Sequence, residues 1–151
     1  MKDISIDFIK EKDLDQLIPL CALHSKYERV PFESKEKKEK LRHFLFQEKP
    51  PLFCLVAMKK QKMIGYASYM IQFSTWDAYH YIYMDCLYLL DSYRGFGIGQ
   101  KLFDSIKEEA KKMNIKEIQW QTPNFNTRAI KFYNRTGGQS KSKERYFLKI
   151  I

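Results

Sequence analysis

Residues 93–99, Tyr-Arg-Gly-Phe-Gly-Ile-Gly, constrain this chain more than any other stretch. They lie between an apolar, strand-like run at residues 81–90 and a helix-like run at residues 100–113. A glycine-rich turn that opens a helix presents several unpaired backbone N–H groups, and the aligned peptide dipoles add partial positive charge. Phosphate or pyrophosphate suits such a place. Glycine lets the backbone come close to the anion and adopts positive φ at little cost. The expectation is a phosphorylated cofactor held where a strand runs into a helix. The plain alternative is a glycine turn without a ligand.

The spacing separates the known phosphate loops. A Walker A loop requires Lys-Ser/Thr after its last glycine, and none follows Gly99. A dinucleotide fingerprint requires G-x-G-x-x-G early in a βαβ unit. Here the glycines fall at 95, 97 and 99, in the second half of the chain. The pattern that remains is Arg-x-x-Gly-x-Gly at Arg94, Gly97 and Gly99.

Composition bounds the rest. A length of 151 residues fits one domain, residues 1–151, with room for a real core. A hydrophobic share of 44% and an aromatic share of 15% argue for a folded chain rather than a disordered one. No apolar run is long enough to span a bilayer, and the first residues lack a signal-peptide core, so a cytoplasmic location is expected. Cys21, Cys54 and Cys86 are odd in number and lie in apolar runs. They read as small buried residues, not as a disulfide framework or a metal site. The net charge of +9 raises nucleic acid as a partner. Yet the basic runs are mixed with glutamate, as at residues 34–40, which is the pattern of an exposed helical face.

Periodicity gives a coarse map. Strands are expected at residues 4–9, 52–58, 63–73, 80–90, 117–121 and 146–151. Helices are expected at 13–27, at 34–47 with Ser34 as cap and Leu41, Phe44 and Leu45 inward, at 98–113 with Leu102, Phe103, Ile106 and Ala110 inward, and at 126–134, ended by Gly137-Gly138. The order is β-α-α-β-β-β-α-β-α-β. It describes an α/β (α+β) fold: a mixed sheet, antiparallel at first and closed by a parallel crossover that carries the glycine loop, with helices on both faces.

The loop resembles the coenzyme A pyrophosphate loop of the GCN5-related N-acetyltransferases (GNAT), and the element order matches that fold. Asn126-x-x-Ala129-x-x-Phe132-Tyr133, followed by Gly137, resembles the asparagine–tyrosine helix of the same family. Asn126, Ala129 and Tyr133 share a helical face because they are spaced by three and four. Residues 93–99, the Tyr27-Glu28 pair, residues 52–57, 130–133 and 147–150 are similar to the diamine (spermidine/spermine) and bacterial thialysine N-acetyltransferases. The resemblance implies acetyl-CoA as cofactor, direct attack of a small primary amine on the thioester, a polyamine or diamine as leading substrate, and a homodimer.

The resemblance also implies roles. A primary amine, with pKa about 10.4, must lose a proton before it attacks, and the departing thiolate gains from an acid. Tyr133 is the candidate acid; its plain alternative is a core tyrosine. Asp85 is the candidate that meets the amine, with a structural hydrogen bond or an ordered water chain as alternatives. Met84-Asp85-Cys86 stands where the family pattern has two adjacent acids. Leu87, Tyr88 and Leu89 correspond to the strand whose backbone holds the pantetheine arm. Arg94, Gly95, Phe96, Gly97, Ile98, Gly99 and Gln100 correspond to the pyrophosphate loop. Asn126 and Ala129 join Tyr133 on the cofactor side, with Asn126 also readable as a helix cap. Tyr27, Glu28, Asp77, Asp85 and Glu144 are the substrate-side candidates. A lysine-like amino acid, a peptide amine, or an acyl-CoA-binding module without catalysis remain as alternatives.

Overall fold

The computed structural model describes residues 3–151. Their contacts divide the chain into two compact units, one ending at Gln121 and one spanning Thr122–Ile151. The first unit holds β1 (Ile4–Phe8), α1 (Leu14–Tyr27), α2 (Lys37–Phe46), β2 (Phe53–Lys59), β3 (Lys62–Ser74), β4 (Tyr79–Leu89), α3 (Ile98–Lys112) and β5 (Ile118–Trp120). The second holds α4 (Thr127–Arg135).

The five strands lie in the order β1-β2-β3-β4-β5. All pairs are antiparallel except β4 with β5. That parallel pair is joined by α3, the crossover helix that a parallel connection requires. Alternate residues along the strands face opposite layers. Cys54, Val56, Met63, Tyr66 and Tyr88 pack with Leu14, Leu17 and Leu20 of α1 and Leu45 of α2. On the other layer α3 packs against β2, β3 and β4 and buries Ile98, Leu102, Phe103, Ile106 and Ala110. These α3 positions recur at three and four, so one stripe faces the sheet.

Three expectations differ from the structure. Residues 146–151 form no strand. Tyr146, Phe147, Leu148, Ile150 and Ile151 are exposed, because apolar alternation makes a strand only where a neighbour offers backbone partners and Thr122–Ile151 contains none. Ser34 does not cap α2 by its side chain. Glu36 is the cap residue, in the left-handed region at φ 62°, and Ser34 contributes only its carbonyl, to Lys37 N–H at 3.1 Å. Phe44 is exposed rather than inward, since Leu41 and Leu45 already fill the side of α2 turned to the core. The remaining elements fall within one or two residues of their expected bounds.

Candidate functional site

The glycine loop is built in two steps. Below β4, Tyr93 N–H bonds Leu90 O at 2.9 Å and Arg94 N–H bonds Asp91 O at 3.1 Å, closing a 3₁₀ turn. The chain then enters α3 through Gly95 at φ 85° and Gly97 at φ 78°. Both conformations favour glycine, and a Cβ at either position would project into open space. The first bond of α3 is Lys101 N–H to Gly97 O, at 3.1 Å. The N–H groups of residues 95–100 precede it and have no protein acceptor among the described residues. Ile98, 2% exposed, pins the helix start to the core, while Phe96 stays outside. The Gln100 side chain bonds Asp104 Oδ1 at 2.9 Å, so only its backbone is free for a ligand.

Arg94 turns away from this cradle. Its Nε donates to Leu89 O at 2.9 Å and its Nη1 to Asp91 Oδ1 at 3.2 Å. The guanidinium lies 4.7 Å from the Tyr27 ring centre and 5.4 Å from that of Tyr88. A cation stacked on aromatic faces and bonded to a strand carbonyl is a staple. It ties the loop to β4 and to the end of α1. Tyr27 is thereby part of the same stack.

β4 opens beside this loop. β5 pairs with it only at Ile82, Met84 and the residue between them. From Asp85 to Leu89 that edge has no partner strand among the described residues, which leaves alternate backbone N–H and C=O groups of Leu87, Tyr88 and Leu89 available. The ladder to β3 also slips here: Ser68 pairs with Cys86 and Tyr69 with Met84, so Asp85 is the extra residue of a β-bulge. A bulge turns its side chain out of the regular alternation. Asp85 is accordingly exposed, between buried Met84 and half-buried Cys86, with Cys86 Sγ 3.7 Å from its Oδ2.

Glu28 is joined to this region from α1. Its Oε1 lies 3.1 Å from His24 Nε2, and His24 Nδ1 lies 2.9 Å from Tyr66 Oη. The His24 ring stacks on Tyr88, centre to centre 5.1 Å. Burial, with Cys86 and Cys21 close by, drives the Tyr66 phenol far above its usual range, so it stays neutral. Burial and then the Asp85 carboxylate push the Cys86 thiol up to about 12. Sequence reading missed His24 and Tyr66. The i, i+4 spacing of His24 and Glu28 was a usable signal; nothing in sequence pairs Tyr66 with them.

The structure brings Tyr27, Glu28, Asp85, Leu87, Tyr88, Leu89 and the loop residues onto neighbouring elements of the first unit. Asp77 is not among them. It lies beyond the Tyr79 end of β4, and that end is itself six residues, about 20 Å along the strand, from Asp85. There its Oδ2 accepts from Ser74 Oγ at 2.9 Å and holds the β3–β4 turn. In the second unit Asn126 caps α4, its Oδ1 accepting from Ala129 N–H at 3.2 Å. Tyr133 sits in the last turns of the same helix with its ring against Phe132. Gly137, at φ 92°, ends the helix region. Glu144 is exposed on a segment without regular structure.

Residues 17–138 match the acetyltransferase (GNAT) family. The chain belongs to that family. Among curated proteins it is 29% identical over 147 residues to the thialysine N-epsilon-acetyltransferase of Bos taurus, covering 92% of this chain and 86% of that protein. Among solved structures, an aminoglycoside acetyltransferase from an uncultured soil metagenomic sample superposes with a TM-score of 0.81 at 20% identity, covering 98% of this chain and 96% of the other. An aminoglycoside N-acetyltransferase in complex with CoA gives 0.81 at 16% identity, covering 97% and 94%. At these identities the structures show the shared fold.

This GNAT chain is an N-acetyltransferase, and its cofactor is acetyl-CoA. The residues present fit that cofactor. A row of N–H groups without acceptors at a helix start suits a pyrophosphate, and an open strand edge suits the amide groups of a pantetheine arm. Acetyl-CoA supplies the acetyl thioester; the chain supplies binding, orientation and proton handling. Among the described residues, no helix is long and apolar enough to cross a membrane.

Proposed function

We propose that this acetyltransferase moves the acetyl group to a small primary amine by direct attack of that amine on the thioester. The observation that carries the reading is the opened edge of β4. It begins at Asp85, a carboxylate turned out by a bulge, and leads directly to the glycine loop. In this reading the backbone of Leu87, Tyr88 and Leu89 holds the pantetheine arm. The N–H groups of residues 95–100 hold the pyrophosphate, with Arg94 fixing their position. Asn126 and Ala129 serve the cofactor side. Asp85 takes the ammonium proton, Tyr133 protonates the departing thiolate, and Tyr27, Glu28 and Glu144 contribute to amine binding. The two units work as one domain, residues 1–151.

The thialysine acetyltransferases among the relatives favour the side-chain amine of a lysine-like amino acid. The polyamine or diamine reading is supported by two spaced carboxylates, Asp85 beside Cys86 on β4 and Glu28 beside His24 at the end of α1. Asp77, held in its own turn, adds nothing to either. A homodimer and a cytoplasmic location complete the proposal, with the exposed residues 146–151 as the interface candidate.

The test is thiol release from acetyl-CoA with thialysine, lysine, spermidine, spermine, putrescine and lysine peptides, using Tyr133→Phe as control. The expected result is turnover on the free small amines, reduced about a hundredfold in Tyr133→Phe with acetyl-CoA binding retained. Preference for thialysine and lysine selects the amino-acid reading; preference for spermidine selects the polyamine reading. Turnover on peptides alone, or none at all, overturns the small-amine proposal.

A further inference from the structure

α1 ends on an acid. Glu28 is its C-cap residue, with its N–H bonded to His24 O at 2.9 Å. The carbonyl end of a helix carries partial negative charge and disfavours a carboxylate. A side-chain contact holds Glu28 there: its Oε1 lies 3.1 Å from His24 Nε2. His24 Nδ1 lies 2.9 Å from Tyr66 Oη of β3, and the His24 ring stacks on Tyr88 of β4 with 5.1 Å between centres. One imidazole is thus fixed from three elements.

The partners decide where the protons sit. A carboxylate only accepts, so the hydrogen on that side belongs to Nε2. In a neutral ring Nδ1 is then an acceptor, and Tyr66, which burial keeps protonated, donates to it. In an imidazolium Nδ1–H donates to Tyr66 Oη instead. Nε2–H faces Glu28 in both states. The two oxygens of Glu28 differ. Oε1 is bound, whereas Oε2 has no partner among the described residues. The Glu28 side chain is 31% exposed, against 11% for that of His24. No lysine or arginine among the described residues pairs with Glu28. Arg94, stacked on Tyr27 and Tyr88, gives Nε to Leu89 O and Nη1 to Asp91. Tyr88, on which His24 rests, belongs to the open edge of β4.

We propose that His24, fixed by Tyr66, is a specificity-determining positioning residue: it sets the Glu28 carboxylate to take a second cationic group of the amine substrate. The proposal rests on the acetyl-transfer reading, in which Asp85 meets the reacting amine. A monoamine has nothing to offer Glu28. A substrate with two ammonium groups does, whether the second is the far end of a diamine or the α-amine of a lysine-like amino acid. A histidine–glutamate pair serving only the helix needs no tyrosine from β3 to fix its ring, and it is indifferent to the charge of the substrate.

The experiment measures kcat/KM for two matched pairs, diaminopentane against pentylamine and lysine against ε-aminohexanoate. The reading is the preference for the member with the second ammonium. Wild type is compared with Glu28→Gln, His24→Phe, their double variant, His24→Gln and Tyr66→Phe, with thermal unfolding on the same samples. His24→Phe keeps a ring on Tyr88 and loses both hydrogen bonds; His24→Gln keeps an N–H donor for Glu28. The expected result is a preference in wild type that falls about tenfold in Glu28→Gln and in His24→Phe. The double variant falls no further than Glu28→Gln, since His24 acts through Glu28. His24→Gln restores most of the preference. If His24→Phe does not fold, Tyr66→Phe carries the test, with a smaller fall in the same ratio. The pair that shows the preference identifies the source of the second ammonium. Losses that strike both members of a pair equally, or that add in the double variant, overturn the positioning role. A wild type that turns over both members of each pair equally overturns the second-cation site and leaves acetyl transfer standing. A wild type that turns over no amine overturns the acetyl-transfer reading, and this proposal with it.

Discussion

Gly97 and Arg94 are three residues apart and do different work. Gly97 holds a left-handed φ of 78° at the start of α3, where another residue would be strained by about 1–2 kcal/mol. Its added Cβ would project into the open space beside the unpaired N–H groups. Gly97→Ala should therefore raise the acetyl-CoA Kd about tenfold, with a modest fall in Tm. Arg94→Ala should do the reverse. It removes the bond to Leu89 O and the stack on Tyr27 and Tyr88, costing about 2 kcal/mol of stability with a smaller effect on Kd. Calorimetric titration and thermal melts of both variants check the ordering. Cys86 gives a pH signature. Its thiol is pushed from 9.0 to about 12 in the folded chain, so the unfolded chain releases that proton first. The stability this contributes is complete below pH 9 and is lost between about 9 and 12. Urea unfolding at pH 8 and pH 10.5 should show a smaller alkaline loss in Cys86→Ala than in wild type.

At the scale of elements, Gly65 of β3 leaves no room for a side chain against β4. A Cβ on Gly65 would sit 2.7 Å from Leu89 Cδ1 and 2.8 Å from the Tyr88 carbonyl oxygen. The leucine tip can move, but the carbonyl belongs to the strand that borders the open edge. Gly65→Ala should cost about 1–3 kcal/mol in urea unfolding and weaken acetyl-CoA binding as β4 shifts. An unchanged midpoint would show that β4 yields freely there. α3 was readable because its apolar stripe is unbroken over four turns. α2 was readable as a helix, but its start was not, because its cap comes from a left-handed Glu36 that no propensity announces. The β4 bulge was visible only as an acid in an apolar strand. Which residue is the extra one follows from pairing with β3, and pairing is not a local property.

Over the whole molecule, the exposed residues 146–151 form an apolar stretch in a chain of net charge +9. In the homodimer reading a second copy covers them. The full chain should sediment as a dimer, and a chain ending at Gly138 as a monomer. Equal masses for the two would remove the tail from the interface.

Sequence alone determined the class of cofactor, the crossover that carries its loop and the inward face of α3. Each of these is written in residues close together in the chain: glycines two apart, apolar positions three and four apart. Only tertiary structure decided that Arg94 staples rather than binds, and that Asp77 is committed to its own turn. It also decided that Tyr66 and Glu28 meet on the two nitrogens of His24, and that Cys86 lies beside Asp85. Those contacts join residues from α1, β3 and β4, and what a side chain does there depends on the neighbour that packing gives it.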